Sequence, residues 1–388
     1  MIHPKMPMLF QIDKSIANLF TSGSATSLDV AGLRYLALAS SEGSHKITGQ
    51  RKTLADLAQS QSLDSHTRNA LTRAAGQVYQ DGHLFYKLRV VGHVVAGTQT
   101  APLSSTSGEQ RIITFPLRWF DSSSKIQPTS LLGENTSDTR VFRKMGEVGA
   151  VLGGLGYLPL GAECAHGGGH TTGVVLAQVS QSGQLCFCIV DSDKISPSGT
   201  LGSTAQAVAL YKDTRNFPVL QVEETAGRDL ENALPDSFYL GAYGSLPSHK
   251  STAELLAKLT SENEIHVRNH LDIKNGLRLY DVHRLSLGTS DFAFWQGKLN
   301  LIIRLTGVSS ASLPCLSTGI CAQTSWANCT CILVPPNRAN ILNEFLQRYE
   351  NTDRYNLRTA LDASVRPEWL RLGTLIAAWC CADTKMRL

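Results

Sequence analysis

No run of about eighteen uninterrupted apolar residues occurs in this chain, so nothing in it reads as a membrane-spanning helix. The opening residues, MIHPKMPMLFQIDKS, lack the apolar stretch and small-residue cleavage site of a secretory signal. No G-x-x-x-x-G-K-[ST] loop is present, which leaves any ATP-driven step to a separate chain. No G-x-S-x-G elbow is present either, so serine hydrolysis by that route has no support. Internal repeats and long low-complexity blocks are also missing. The net charge of only +4 permits a polyanionic partner without demanding one. What remains is an ordinary soluble composition, 42% hydrophobic and 18% charged, with nine cysteines. Cys164, Cys186 and Cys188 lie in or beside apolar runs, where a reduced thiol behaves as a small hydrophobe, and this predicts a reducing, cytoplasmic setting.

With 388 residues, two or three domains are expected, and the texture suggests 1–125, 126–284 and 285–388. Helical spacing of apolar residues marks 27–40, 53–59 and 65–79, the last two opening on the N-cap candidates Thr53 and Ser65. DGHLFYKLRVVGHVVAG then alternates as a β-hairpin would. Three helices followed by a hairpin is the winged-helix order, and it would make 65–79 a recognition helix offering Arg68 and Arg73 to a DNA groove. The competing reading is a small helical domain whose arginines are simply solvated. Residues 99–130 are rich in Ser, Thr and Gln, with IITFPLRWF as one candidate strand.

From 126 to 284 strands alternate with helices: a short strand at 130–132, a helix at 138–153, an extended stretch at 156–163, a glycine cluster, and a buried strand at 185–190. That alternation predicts a largely parallel α/β sheet. Beyond Asp281 further helices are expected at 291–306, 339–349 and 367–382.

The sharpest feature is LCFCIVDSDK, an apolar strand ending in Asp191-Ser192-Asp193. Residues just past the carboxyl end of a buried parallel strand sit where α/β proteins bind ligands, and two aspartates at i and i+2 on an extended chain point the same way. Two adjacent carboxylates repel unless a cation lies between them, and hard oxygen donors favour Mg²⁺ or Mn²⁺ over zinc. Earlier, LLGENTSD puts Glu134 at another strand end with Asp138 four residues on. A glutamate and a D-x-D at neighbouring strand ends make a three-carboxylate cup.

These motifs resemble the TOPRIM domain of topoisomerases, primases and nucleases, and Asp138 resembles the second acidic residue of its OLD-type (overcoming lysogenization defect) nuclease branch. Asn135 departs from that pattern, where glycine commonly follows the glutamate. The resemblance covers about 131 to 284 and implies a Rossmannoid parallel sheet. Between the motifs, His166 and His170 flank three glycines that would allow close approach to a phosphate or to a neighbouring strand, and the two histidines either contact the scissile phosphate or are merely exposed in the loop. Arg228-Asp229-Leu230-Glu231-Asn232 resembles an R-[ED]-x-E-N element of defence-linked TOPRIM nucleases. On that likeness Glu231 becomes a second-metal ligand and Arg228 a contact to nucleic acid, whereas the plainer reading of Glu231 is a helix N-terminal carboxylate. Lys274, in the turn LDIKNGL, would then be the late lysine that neutralises charge developing on a phosphate.

The implied activity is phosphodiester hydrolysis of DNA or RNA with two divalent ions. Glu134, Asp191 and Asp193 would hold the ions, helped by Asp138 and Glu231, in an effector of prokaryotic anti-phage defence working with a separate ATPase or sensor. A DNA-binding regulator with a catalytically silent TOPRIM domain, and primase-like nucleotidyl transfer, are the other classes. Cys315, Cys321, Cys329 and Cys331 could bind structural zinc, but their spacing lacks the usual C-x2-4-C pairs, and reduced loop thiols are the preferred reading.

Overall fold

The computed structural model describes residues 8–381, apart from 157, 246, 319–327 and 338–339. The chain is α/β and forms two compact units, the first made of residues 1–190, 207–223 and 369–388, the second of 191–206 and 224–368. The division falls at strand ends and inside the last helix, not near 125 and 284.

In the first unit, β1 (Leu9–Ile12), β2 (Lys46–Gly49), β3 (Val90–Val95), β4 (Leu103–Ser107) and β5 (Gln110–Pro116) form a sheet of order β2-β1-β3-β5-β4. All its pairings are parallel except the β4–β5 hairpin. The expected helices are present at Ser27–Ser41, Arg51–Ala58 and Ser65–Asp81. Two features depart from the winged-helix order: β1 and β2 interleave with those helices, and β3 is a central parallel strand, not half of a wing. Four-residue strands such as β1 and β2 are too short to show a period of two. The caps also differ, since Asp64, not Ser65, accepts the Thr67 N–H at 2.8 Å, and Gln50, not Thr53, precedes the earlier helix. Arg68 and Arg73 lie half-buried on Ser65–Asp81.

The same unit carries a second sheet, of order β7-β6-β8-β9, from β6 (Ser130–Gly133), β7 (Glu163–His166), β8 (Cys186–Val190) and β9 (Leu220–Glu224). β6 runs parallel to both β7 and β8, with helices Thr136–Leu152 and Thr172–Ser182 as the crossovers. Every residue of β8 is buried, as its unbroken apolar run requires. The stretch expected to be extended at 156–163 enters β7 only at Glu163, because Gly154 and Gly156 turn the chain with φ of 69° and 68°. The end of helix Arg366–Trp379 packs here, with Trp379 stacked on Phe187 at 6.3 Å.

The second unit is mainly helical, with a small antiparallel pair of β10 (Leu277–Arg278) and β11 (Ile332–Val334). Phe238 and Phe345 meet edge to face at 5.4 Å within its aromatic core. The expected late helices are present as Ser290–Thr306 and Ile341–Tyr349. Among the described residues, no helix is long and apolar enough to cross a membrane.

Candidate metal centre

Parallel register sets the strand ends. Leu131 pairs with Phe187 and Leu132 with Cys188, so Glu134 and Asp191 are the residues that leave two neighbouring strands, β6 and β8. The backbone oxygen of Glu134 accepts the N–H groups of Gly168 and Gly169 at 3.1 and 3.2 Å, and Gly133 accepts that of Gly167 at 2.8 Å. The glycine cluster therefore spends its amides on the end of β6, which is the turn reading and not a phosphate cradle. A Cβ on Gly167 would stand 2.2 Å from the Thr172 hydroxyl, so the close approach is to protein. His166 and His170 are both exposed. Asp138 is buried in a capping box, its carboxylate accepting the Asn135 N–H at 2.8 Å. That engagement stabilises the start of Thr136–Leu152 and gives Asp138 a structural role beside the ligand role expected of it.

The remaining acidic residues gather in the second unit. Ser192 is buried, donating its N–H to Thr225 Oγ1 at 3.0 Å and its hydroxyl to the Gly227 carbonyl at 2.7 Å. Asp191 on one side is half-buried and Asp193 on the other is exposed. The chain is not extended at Asp193. Its φ is 53°, its N–H donates to the Arg228 carbonyl at 2.9 Å, and a Cβ on Gly202 would collide with its carboxylate at 2.2 Å. The D-x-D is thus a tight turn laced to the Arg228 segment.

That segment is held from the other side by Asn232. Its amide oxygen accepts the Asp229 N–H at 2.9 Å, and its NH₂ donates to the carbonyls of Arg268 and Leu271 at 2.8 and 2.9 Å. The short 3₁₀ helix Leu230–Ala233 is fixed, and Glu231 is 3% exposed. One Glu231 oxygen meets Lys274 Nζ at 3.0 Å, while the other is buried without a hydrogen-bond partner. Arg228 pairs with Asp272 at 2.9 Å and lies 3.8 Å from Asp229. The expected contacts of Arg228 and Lys274 to nucleic acid thus begin from internal ion pairs.

The fields in this cluster oppose ionisation of two carboxyls. Burial, reinforced by Asp272 and Asp193, outweighs Lys274 and Arg228 and holds Asp229 above the usual carboxyl range. Burial, with the charge of Asp229 added, likewise raises Glu231 despite Lys274. Burial works against the Lys274 charge, but Glu231, Asp229 and Asp191 together hold its ammonium above the usual lysine range. Among these groups the carboxylates outnumber the cations. Asp229 and Asp272 were not singled out by sequence. Asp229 carried a signal, since it belongs to the same R-D-L-E-N element as Glu231; Asp272 carried none.

Cys321 falls outside the described residues. Cys315, Cys329 and Cys331 lie in the second unit with their sulfurs within 4.8 Å of one another. Comparisons with protein-family models, with curated proteins and with solved structures return no match for this chain.

Proposed function

We propose that this protein is a Mg²⁺- or Mn²⁺-dependent nuclease that hydrolyses phosphodiester bonds of DNA or RNA. The observation that carries the reading is the convergence of Asp191, Asp229 and Glu231 on one lysine, with Asp193 acting on Asp229 and a Glu231 oxygen buried and unpartnered. The donor set fits hard divalent cations, being all oxygen and in excess of the local positive charge. Asp191, Asp193, Asp229 and Glu231 would hold the ions. Glu134, which lies in the first unit, is named as a ligand by the TOPRIM resemblance alone.

When bound, the cations would supply Lewis-acid activation of water and charge neutralisation at phosphate. The protein's own groups do the rest. Lys274, 46% exposed, is reachable from solvent and can exchange its ion pair for a phosphate oxygen as negative charge grows there. Asp272 holds the Arg228 guanidinium in place, and Asn232 keeps Glu231 and Asp229 from moving apart. A role as effector in prokaryotic antiviral defence, with a separate ATPase or sensor subunit, rests on the resemblance alone.

The regulator reading has one observation in its favour: Lys274 and Arg228 already neutralise part of the cluster. A single experiment separates the two. Purified protein is incubated with single- and double-stranded DNA and with tRNA, with Mg²⁺ or Mn²⁺ and with chelator. Metal-dependent cleavage that drops by more than about a hundredfold in Asp191→Ala/Asp193→Ala supports the nuclease. Cleavage that survives the double substitution refutes this site, and binding without cleavage favours the regulator.

A further inference from the structure

We propose that Cys315, Cys329 and Cys331 form a structural zinc site in the second unit, separate from the carboxylate cluster. Tetrahedral zinc with thiolates at about 2.3 Å places its sulfurs about 3.8 Å apart, and all three sulfurs here lie within 4.8 Å of one another. Carboxylates select hard cations, whereas a set of soft sulfurs selects zinc.

The backbone holds the three residues in this arrangement. Cys329 and Cys331 are buried at the entrance to β11, where the Cys331 carbonyl accepts the Leu279 N–H at 3.0 Å and the Cys329 carbonyl accepts from Arg278 Nη1 at 2.6 Å. Cys315 arrives from helix Pro314–Thr318 and donates its backbone N–H to Cys331 Sγ at 3.4 Å. That contact orients the Cys331 sulfur toward Cys315. All three cysteines are free of disulfides.

The local sequence explains what an ion would do. Residues 308–331 are rich in Ser and Thr, and β10 and β11 contribute only two and three residues to their sheet. Strands this short exchange few ladder hydrogen bonds and hold the segment weakly. An ion joining helix Pro314–Thr318 to β11 would supply the missing anchor, each thiol releasing its proton on binding.

The test measures metal in full-length protein prepared in reducing buffer with zinc supplied. The expected result is about one zinc per chain, lost in Cys329→Ser and Cys331→Ser and retained in Cys186→Ser. Because a serine variant can fail to fold, wild-type protein stripped of zinc is also titrated with Co²⁺. A thiolate-to-cobalt charge-transfer band saturating at one equivalent supports the site, and its intensity counts the thiolates. Cobalt held by the carboxylates gives no such band. Zinc-free protein without the band, an intramolecular disulfide among these cysteines in unreduced peptide maps, or zinc retained by the triple serine variant would each overturn the assignment.

Discussion

Replacing Lys274 with Met removes the cation beside Glu231 while keeping much of the apolar stem. At the 3.0 Å separation of Nζ and Oε1, Coulomb attraction amounts to ~1.4 kcal/mol in bulk water and ~5.5 kcal/mol at an effective dielectric of 20. The Glu231 side chain is 4% exposed but that of Lys274 is 46% exposed, so the pair lies toward the screened end. Allowing also for the ordering of a long side chain, we expect a loss of about 1–3 kcal/mol near pH 8. The loss depends on pH in a definite direction. Glu231 titrates above its ordinary value of 4.5 in the folded protein, so the folded state holds a proton that the unfolded chain has released. Stability therefore falls as pH rises from about 4.5 through the raised folded value, and removing Lys274 raises that value further. The destabilisation should shrink toward zero as pH falls to about 4.5, where Glu231 is neutral and needs no cation.

Urea unfolding at pH 5 and pH 8 in chelator-containing buffer measures this, provided the slope with denaturant is unchanged. Glu231→Gln completes a double-mutant cycle, and Lys274→Met should then have little effect at either pH. An equal loss at both pH values, or an undiminished loss in the Glu231→Gln background, would refute the argument that Lys274 acts on a buried carboxylate.

Two further outcomes concern the first unit and the helices. Burial holds His45 down to about 3 from 6.5, so its contribution is present above pH 6.5 and is lost as pH falls toward 3. Acid unfolding should show on the order of 3–5 kcal/mol less pH dependence in His45→Gln than in wild type, as read by denaturant midpoints across that window. Gly373→Ala should lower stability by about 1–3 kcal/mol or more, because its Cβ would stand 2.4 Å from the Met145 carbonyl oxygen and 2.7 Å from Gly149 Cα. Gly297→Ala, where nothing lies within 4 Å, should instead raise stability by roughly 0.5–1 kcal/mol, and thermal melts compare the two directly.

Legibility in the sequence followed the range of the interactions. β8 could be read because burial on both faces leaves an unbroken apolar run, and its end could be read because Asp191 follows Val190 without a turn signal. Helices Ser27–Ser41 and Ser290–Thr306 were legible from local periodicity. β1 and β2 were not, since four residues carry no period and their partners lie far along the chain. Nor was the return of residues 207–223 and 369–388 to the first unit, which depends on contacts such as Trp379 with Phe187. At the site, Glu231 was legible through its motif, but its ion pair with Lys274 bridges a loop of more than forty residues and left no trace in spacing. The cysteines were visible as a group in the sequence, but their spacing gave no sign that Cys315 meets the Cys329–Cys331 pair.

The carboxylate cluster is a poor arrangement if folding is all it serves. Burial and like charge oppose ionisation of both Asp229 and Glu231, and one Glu231 oxygen is buried without a partner. Asp193 holds a left-handed backbone that L-residues avoid, against a glycine that any side chain would displace. An amide at 231 would reduce the first of these strains, and an Asp193→Gly change the second. Each therefore opposes folding in the isolated chain, yet Asp229 and Glu231 share one lysine and Asp193 acts on Asp229. Local strain concentrated in this way is the expected mark of a site whose favourable partner is a ligand, because binding there supplies the compensation that folding lacks. On the proposed reading, a divalent cation would turn the surplus of negative charge and the unpartnered oxygen from costs into attractions.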